Sequence, residues 1–327
     1  MILNGGGINQ IVLFTHNDLD GVGCAILAKK AYGQDAVVHM IMAYSASEYV
    51  KGWMENTYNS AIHQQIIIAD LSVSSEVADL MEEMAPGRCH ILDHHETAKR
   101  LNDRDWCYVV DDGAECGMTL LLKFLKQSCP SIVEYRLLAD LVNCYDNQGT
   151  IPLTKEAYDM NLLLTIFGKK MFIDRFIEDS SPVLSEFEQT LLLLEYDRIK
   201  RFVFSKMIRA FTANVRIPKL GKEVKISFTY ANNYINDVAT ALLNQFPDAP
   251  IACVVNLPSS LSFRMKSDAD LSGLCASEIA ECLGGGGHFT ASGAPVSCQE
   301  NIEGLKTLLS GKGVEITLAD LPDEGIL

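Results

Sequence analysis

The chain has 327 residues, 48% hydrophobic and 21% charged, which excludes a disordered polypeptide and leaves apolar material for two cores. Its 27 Lys and Arg against 42 Asp and Glu give a net charge of −15, which speaks against a protein that holds long nucleic acid through its backbone. Ten Cys without a C-x-x-C pair leave a zinc knuckle or thioredoxin-type motif unsupported and fit a reducing cytosol.

The first ten residues, MILNGGGINQ, lack a basic stretch followed by a long apolar one, so a secretory leader is not expected. No apolar run approaches the ~20 residues of a membrane span. The expectation is a cytoplasmic protein without a membrane partner.

QIVLFTH (10–16) reads as a buried strand, followed by a helical pattern from about Gly21 to Tyr32. AVVHMIM (36–42) comes next, then QQIIIAD (64–70) with a helix from about Ser74 to Met84. RCHILD (88–93) leads on to helices near 115–128 and 131–145. Short runs, apolar on both faces and separated by helices, predict a parallel α/β sheet. Residues 183–211 contain no Gly and read as one long helix. Strand signals return in EVKISFTYA (223–231), IACVVNL (251–257) and SLSFRMKS (260–267), with helices near 233–246, 272–283 and 299–311. The expected fold class is α/β in two domains: a parallel-sheet domain over 1–185, a helical connector over 186–211, and a smaller α/β domain over 212–327.

Three polar clusters close strands of the first domain. FTHNDLDG supplies His16, Asp18 and Asp20, IIIADLS supplies Asp70, and HILDHH supplies Asp93, His94 and His95. The carboxyl ends of parallel strands share one edge of the sheet, where open α/β sheets bind ligands. Carboxylates gathered there repel one another unless a cation lies between them. So many acids and imidazoles are too many for one tetrahedral zinc and suit two divalent ions sharing a carboxylate, with Mn favoured by the oxygen-rich mixture. Asp70 alone could equally cap the following helix, and HNDLDG alone could be a polar turn.

A second cluster lies in LGGGGHFTASGAP (283–295), where Gly285, Gly286 and Gly287 precede His288. A Gly run lets backbone N–H groups approach an anion closely, although a plain turn would use the same residues. Upstream, Arg264 and Lys266 fall on one face of a strand, a candidate phosphate clamp.

Together these residues resemble the DHH phosphoesterase family, whose name is the triplet at Asp93, His94 and His95. THNDLDG is similar to its first motif, IIIADLS to its second and LVNCYDN (141–147), ending on Asp146, to its fourth. GGGGHFTASG is similar to the Gly-Gly-Gly-His signature of the associated C-terminal domain. Where many members open with H-x-x-x-D-x-D, this chain has H-N-D-L-D, a spacing most similar to the nanoRNase (oligoribonuclease) branch. The resemblance implies one Mn ion on His16, Asp18 and Asp70, and a second on Asp20, Asp70, His94 and Asp146. It implies a catalytic role for His95 at the substrate phosphate, with Asp93 orienting a neighbouring His. It implies that Arg264, Lys266, Gly285, Gly286, Gly287 and His288 bind substrate.

The activity so implied is Mn-dependent hydrolysis of short RNA oligonucleotides or linear dinucleotides to mononucleotides, by in-line water attack across two metals. The partner is then a short oligonucleotide or nucleotide, and a homodimer is compatible with the sequence. Two alternatives stay open: a phosphatase of 3′-phosphoadenosine-5′-phosphate, and a non-catalytic nucleotide-binding module.

Overall fold

The structure, a computed structural model, describes residues 2–3, 9–110, 113–147, 150–266, 274–287, 289–297, 300 and 303–304. Packing divides the chain into two units, Met1–Leu194 and Glu195–Leu327.

The first unit is built on β1 (Ile2–Leu3), β2 (Gln10–Thr15), β3 (Ala36–Met40), β4 (His63–Ala69), β5 (Cys89–Asp93) and β6 (Cys107–Val109). These form one sheet in the order β1-β3-β2-β4-β5-β6, parallel except where β1 meets β3. Side chains alternate across it. Val12, Phe14, Ile66, Ile68 and Ile91 pack with residues of α2 (Ala46–Asn56) and α3 (Ser75–Met84). Leu13, Ile67 and Leu92 point the other way and are equally buried, which is why these strands read as unbroken apolar runs. On β2 the strand order reverses: the chain passes from β2 out to β3, then back across to β4. That reversal opens a crevice between the carboxyl ends of β2 and β4.

Four further helices belong to this unit: α1 (Leu19–Tyr32), α4 (Gly117–Leu125), α5 (Arg136–Asp146) and α6 (Lys155–Glu178), which pack on one another. Sequence periodicity does not pick out α6, whereas the apolar residues of α2, Ala46, Val50, Trp53 and Met54, repeat at helical spacing. In α6 the helix breaks at Gly168 (φ 68°, ψ 164°), so the apolar stripe changes face midway and no single periodicity describes it.

The long helix expected over 183–211 is α7 (Glu186–Met207), and it runs across the boundary between the two units. It stops earlier than expected: the Arg209 and Ala210 amides bond to the Lys206 and Met207 carbonyls in a tightening turn. The chain then enters β7 (Phe211–Ile217), an edge strand in which Phe211, Ala213, Val215 and Ile217 alternate with polar residues although only Ile217 is buried.

The second unit continues with β8 (Lys222–Tyr230), α8 (Ile235–Gln245), β9 (Ile251–Asn256), β10 (Ser260–Met265), α9 (Ala276–Cys282), β11 (Gly286–Gly287) and β12 (Ala291–Pro295). Its sheet runs β11-β12-β10-β9-β8-β7, with β8 and β9 parallel and every other pair antiparallel. One face packs Ile226, Cys253, Phe263 and Met265 with Ile279 of α9, and the other packs Ala252 and Val254 with Leu242 of α8. The helix expected over 299–311 lies largely outside the described residues. Among the described residues, no helix is long and apolar enough to cross a membrane.

Candidate metal centre

The carboxyl ends of β2, β4 and β5 lie side by side in the sheet, and each delivers its polar cluster there. His16 follows β2 and its Nδ1 lies 2.6 Å from Asp18 Oδ2. The other Asp18 oxygen accepts the Gly21 amide at 3.1 Å and so caps α1. Capping and ligand geometry coexist in this one side chain.

Asp70 adopts φ 58°, a left-handed conformation that costs a non-glycine residue on the order of 1 kcal/mol. It is 2% exposed, and its Oδ2 has no hydrogen-bond partner among the described residues. The capping alternative fails for Asp70, because Ser74 caps α3 instead, accepting the Val77 amide.

Asp20 is 1% exposed, yet both its oxygens are engaged. The Gly117 amide donates to Oδ2 at 2.6 Å and the Met118 amide to Oδ1 at 2.7 Å, two charge-assisted bonds from the N-terminus of α4. This contact spans 97 residues of sequence and was not legible from local patterning. It depends on glycine: a Cβ at position 117 would lie 2.5 Å from Asp70 Cβ and 2.8 Å from Asp70 Cα.

His94 closes the arrangement. Its Nε2 lies 3.4 Å from Asp70 Oδ1, 3.3 Å from Asp146 Oδ2 on α5 and 3.8 Å from Asp20 Oδ2, yet it makes a hydrogen bond to none of them. Asp93 is fully buried; its Oδ1 accepts the His94 amide at 2.8 Å and His95 Nδ1 at 2.7 Å. The His95 ring lies 4.4 Å from that of His94, tilted by 47°.

Among the described residues, three overlapping groups bring ligand atoms within 4.8 Å of one another: His16–Asp18–Asp70, Asp20–His94–Asp146 and Asp70–Asp93–His94–His95. The electrostatics suit a divalent cation. Burial, and then the neighbouring Asp20 and Asp18 carboxylates, push Asp70 and Asp146 well above the usual carboxylate range. Burial and the adjacent His95 push His94 down, so its nitrogen is left as a lone-pair donor. Burial is the largest single influence on His95 and opposes its charge, but the Asp93 hydrogen bond together with the charges of Asp93, Asp146 and Asp20 lifts that imidazole to about 9. Donor atoms on one ion at about 2.1 Å sit roughly 3–3.5 Å apart, the spacing His94 Nε2 keeps to its carboxylates. Unpaired atoms, a nitrogen–oxygen donor set and carboxylates that cannot all ionise unaided fit divalent cations.

The second cluster is arranged differently. The Gly284 and Gly285 amides bond to the Glu281 and Ala280 carbonyls and terminate α9, so neither is offered to an anion. Gly286 and Gly287 pair as β11 with Gly293 and Ser292 and remain exposed. Arg264, two strands away, donates to Asn236 Oδ1 at 2.5 Å and to the Phe263 carbonyl at 2.8 Å. Lys266 lies just beyond β10 and donates to the Pro247 carbonyl at 3.0 Å. His288 lies outside the described residues.

Residues 10–145 match the DHH family, N-terminal domain. The chain is 29% identical over 307 residues to oligoribonuclease NrnB of Bacillus subtilis (strain 168), a match covering 87% of this chain and 72% of that protein. Its fold resembles the solved DHH domain of a member of a family of ribosomal proteins, at TM-score 0.64 and 12% identity, over 92% of this chain and 86% of that one. RecJ of Thermus thermophilus in complex with Mn2+ aligns at TM-score 0.49 and 16% identity, over 97% of this chain and 55% of that one.

Proposed function

From a DHH-family N-terminal domain over residues 10–145, we propose that this chain is a divalent-metal-dependent phosphodiesterase acting on short RNA oligonucleotides or linear dinucleotides to release mononucleotides. The observation that carries the reading is His94 Nε2, buried, without a hydrogen bond among the described residues and ringed by Asp20 of α1, Asp70 just after β4 and Asp146 of α5. What sets it apart from the structural His39, whose Nε2 is likewise unbonded among the described residues, is that ring of carboxylates at 3.3–3.8 Å.

His16, Asp18 and Asp70 would hold one ion, and Asp20, Asp70, His94 and Asp146 the other, with Asp70 shared. Two such ions, most suitably Mn2+, supply Lewis acidity and positive charge at a reacting phosphorus. The chain's own residues do the rest. Asp93 binds His95 Nδ1, which fixes the ring and keeps it protonated at neutral pH. The His95 Nε2 proton can then be held against a phosphoryl oxygen, where it stabilises negative charge and serves as a proton donor. Asp20, tied to the amides of Gly117 and Met118, keeps its carboxylate oriented whether or not substrate is bound. Gly286, Gly287 and Arg264 are the second unit's candidates for gripping a substrate phosphate, with Lys266 and His288 beside them in sequence. A net charge of −15 suits a substrate with few phosphates.

The test is hydrolysis by metal-stripped protein to which Mn2+ is returned, on an RNA dimer, a 5-mer, a 20-mer, linear and cyclic diadenylates and 3′-phosphoadenosine-5′-phosphate. Each assay is repeated with His94→Ala. Mononucleotide released mainly from the shortest RNAs, and lost in the variant, is the expected result. Preference for the bis-phosphorylated nucleotide would make the protein a phosphatase, and binding without turnover would make it a nucleotide-binding module.

A further inference from the structure

The helix α7 and the turn that ends it carry an apolar surface that nothing in the proposed chemistry uses. Phe187, Leu193, Leu194, Phe204 and Ile208 are each 64–70% exposed, whereas Leu192 and Ile199 on the opposite side are buried. A solvated helix face is ordinarily polar, and an apolar stripe of this kind marks a contact surface. Beside the stripe runs an open apolar groove bordered by Lys200, Val203, Phe204 and Met207.

The order of residues along the stripe identifies the occupant. Thr190, Leu194, Asp197, Arg201, Phe204 and Ile208 follow one another at steps of four, three, four, three and four residues. That series is the same read in either direction, with its midpoint level with residue 199. Reversing the helix therefore superimposes Asp197 on Arg201, Leu194 on Phe204 and Thr190 on Ile208. A surface that is complementary to itself when reversed is what a two-fold contact between identical chains requires. We propose that two copies of this chain associate through antiparallel α7 helices about a two-fold axis level with residue 199. Asp197 of each copy then meets Arg201 of the other, and Leu193 and Leu194 of each fill the groove at Phe204 of the other. Asp197 and Arg201 pair at 2.9 Å within one helix while 63% and 74% exposed, so both can engage a second partner. This inference does not depend on the catalytic reading.

The full-length protein and two charge-reversal variants, Asp197→Arg and Arg201→Asp, would be compared by sedimentation velocity across low to high micromolar concentration, with circular dichroism to confirm folding. The wild-type chain is expected to be a dimer. Each variant alone places like charges opposite one another twice across the axis and is expected to weaken self-association by about tenfold or more. Mixing the two variants places Arg opposite Asp at both positions and is expected to restore a 1:1 dimer. The internal pair within each helix stays broken in the mixture, so it cannot account for the recovery. Phe204→Glu is expected to give a folded monomer that no mixing rescues. A monomeric wild type, charge variants that dimerise unchanged, or a mixture that stays monomeric would each overturn the proposal.

Discussion

The two sheets treat their polar groups in opposite ways. At the carboxyl edge of the first, Asp70 Oδ2, Asp93 Oδ2 and His94 Nε2 are buried without hydrogen bonds. In the second, the Arg264 guanidinium, the Lys266 ammonium and the Gly285 amide already bond to the chain itself. Unpaired buried carboxylate and imidazole atoms gathered at one point represent a cost that a bound cation would remove. Arg264, Lys266 and the Gly285 amide are satisfied as they stand, and a ligand bonding to those groups would displace existing bonds. The lesson is that strong binding is expected at the first site and exchangeable binding at the second.

The strongest way to break this comparison is Asp70→Asn. Turnover should fall by about a thousandfold or more, with Mn2+ affinity lost in titration calorimetry. The same change should stabilise the metal-free protein, because the folded state raises the Asp70 pKa. An acid raised on folding contributes stability below its unfolded pKa and loses it as pH rises through the folded value. The stability gap between variant and parent should therefore widen with rising pH in chemical unfolding, and a metal-free variant less stable than its parent at pH 8 would refute the reading.

A finer test sets two glycines against each other. Gly117→Ala should lower Mn2+ affinity by roughly 10–100-fold, since its Cβ would press on Asp70 and displace the amide that orients Asp20. Gly286→Ala, where an added Cβ meets nothing within 4 Å, should leave Mn2+ affinity unchanged and stability within about 0.5 kcal/mol. Calorimetry with thermal unfolding reads both.

The smallest effect concerns His39, a buried histidine on β3 that contrasts with His94. It stacks on Phe14 at 5.0 Å and bonds Tyr49 at 3.0 Å, and burial pulls its pKa down to about 4. Below pH 6.5 the unfolded chain binds a proton the folded chain refuses, so stability falls as pH drops from 6.5 toward 4. The loss attributable to His39 is about 1.4 kcal/mol at pH 5.5. Urea unfolding of the parent and of His39→Phe at pH 7.5 and 5.5 should differ by that amount in their pH response.

Much of the first site was legible in the sequence because its chemistry sits where apolar runs stop. QIVLFT, HQQIIIA and CHILD are strands, and the polar residues following or ending them converge for reasons of sheet topology alone. Asp146 was harder, since it ends a helix and reaches the site only because α5 packs with α1 and α4. The role of Gly117 and Met118 was invisible: it consists of two backbone amides, which carry no residue signature, meeting a carboxylate far away in sequence. The break in α6 is hidden for the opposite reason, because its apolar residues do not repeat at one period, while β7 does alternate but begins inside the Gly-free stretch 183–211 that reads as helix. The Gly run suits an open nest or a plain turn equally in sequence, and its first amides terminate α9, a use that only the helix boundary discloses.

The Asp20 contact has a consequence in time as well as in space. Two amide protons, those of Gly117 and Met118, are buried against a single carboxylate that belongs to another helix. They can reach solvent only when the N-termini of α1 and α4 separate, the same event that would dismantle the ligand set. Their exchange with deuterated water is therefore a clock for the lifetime of the assembled centre, readable without substrate, turnover or a chromophore.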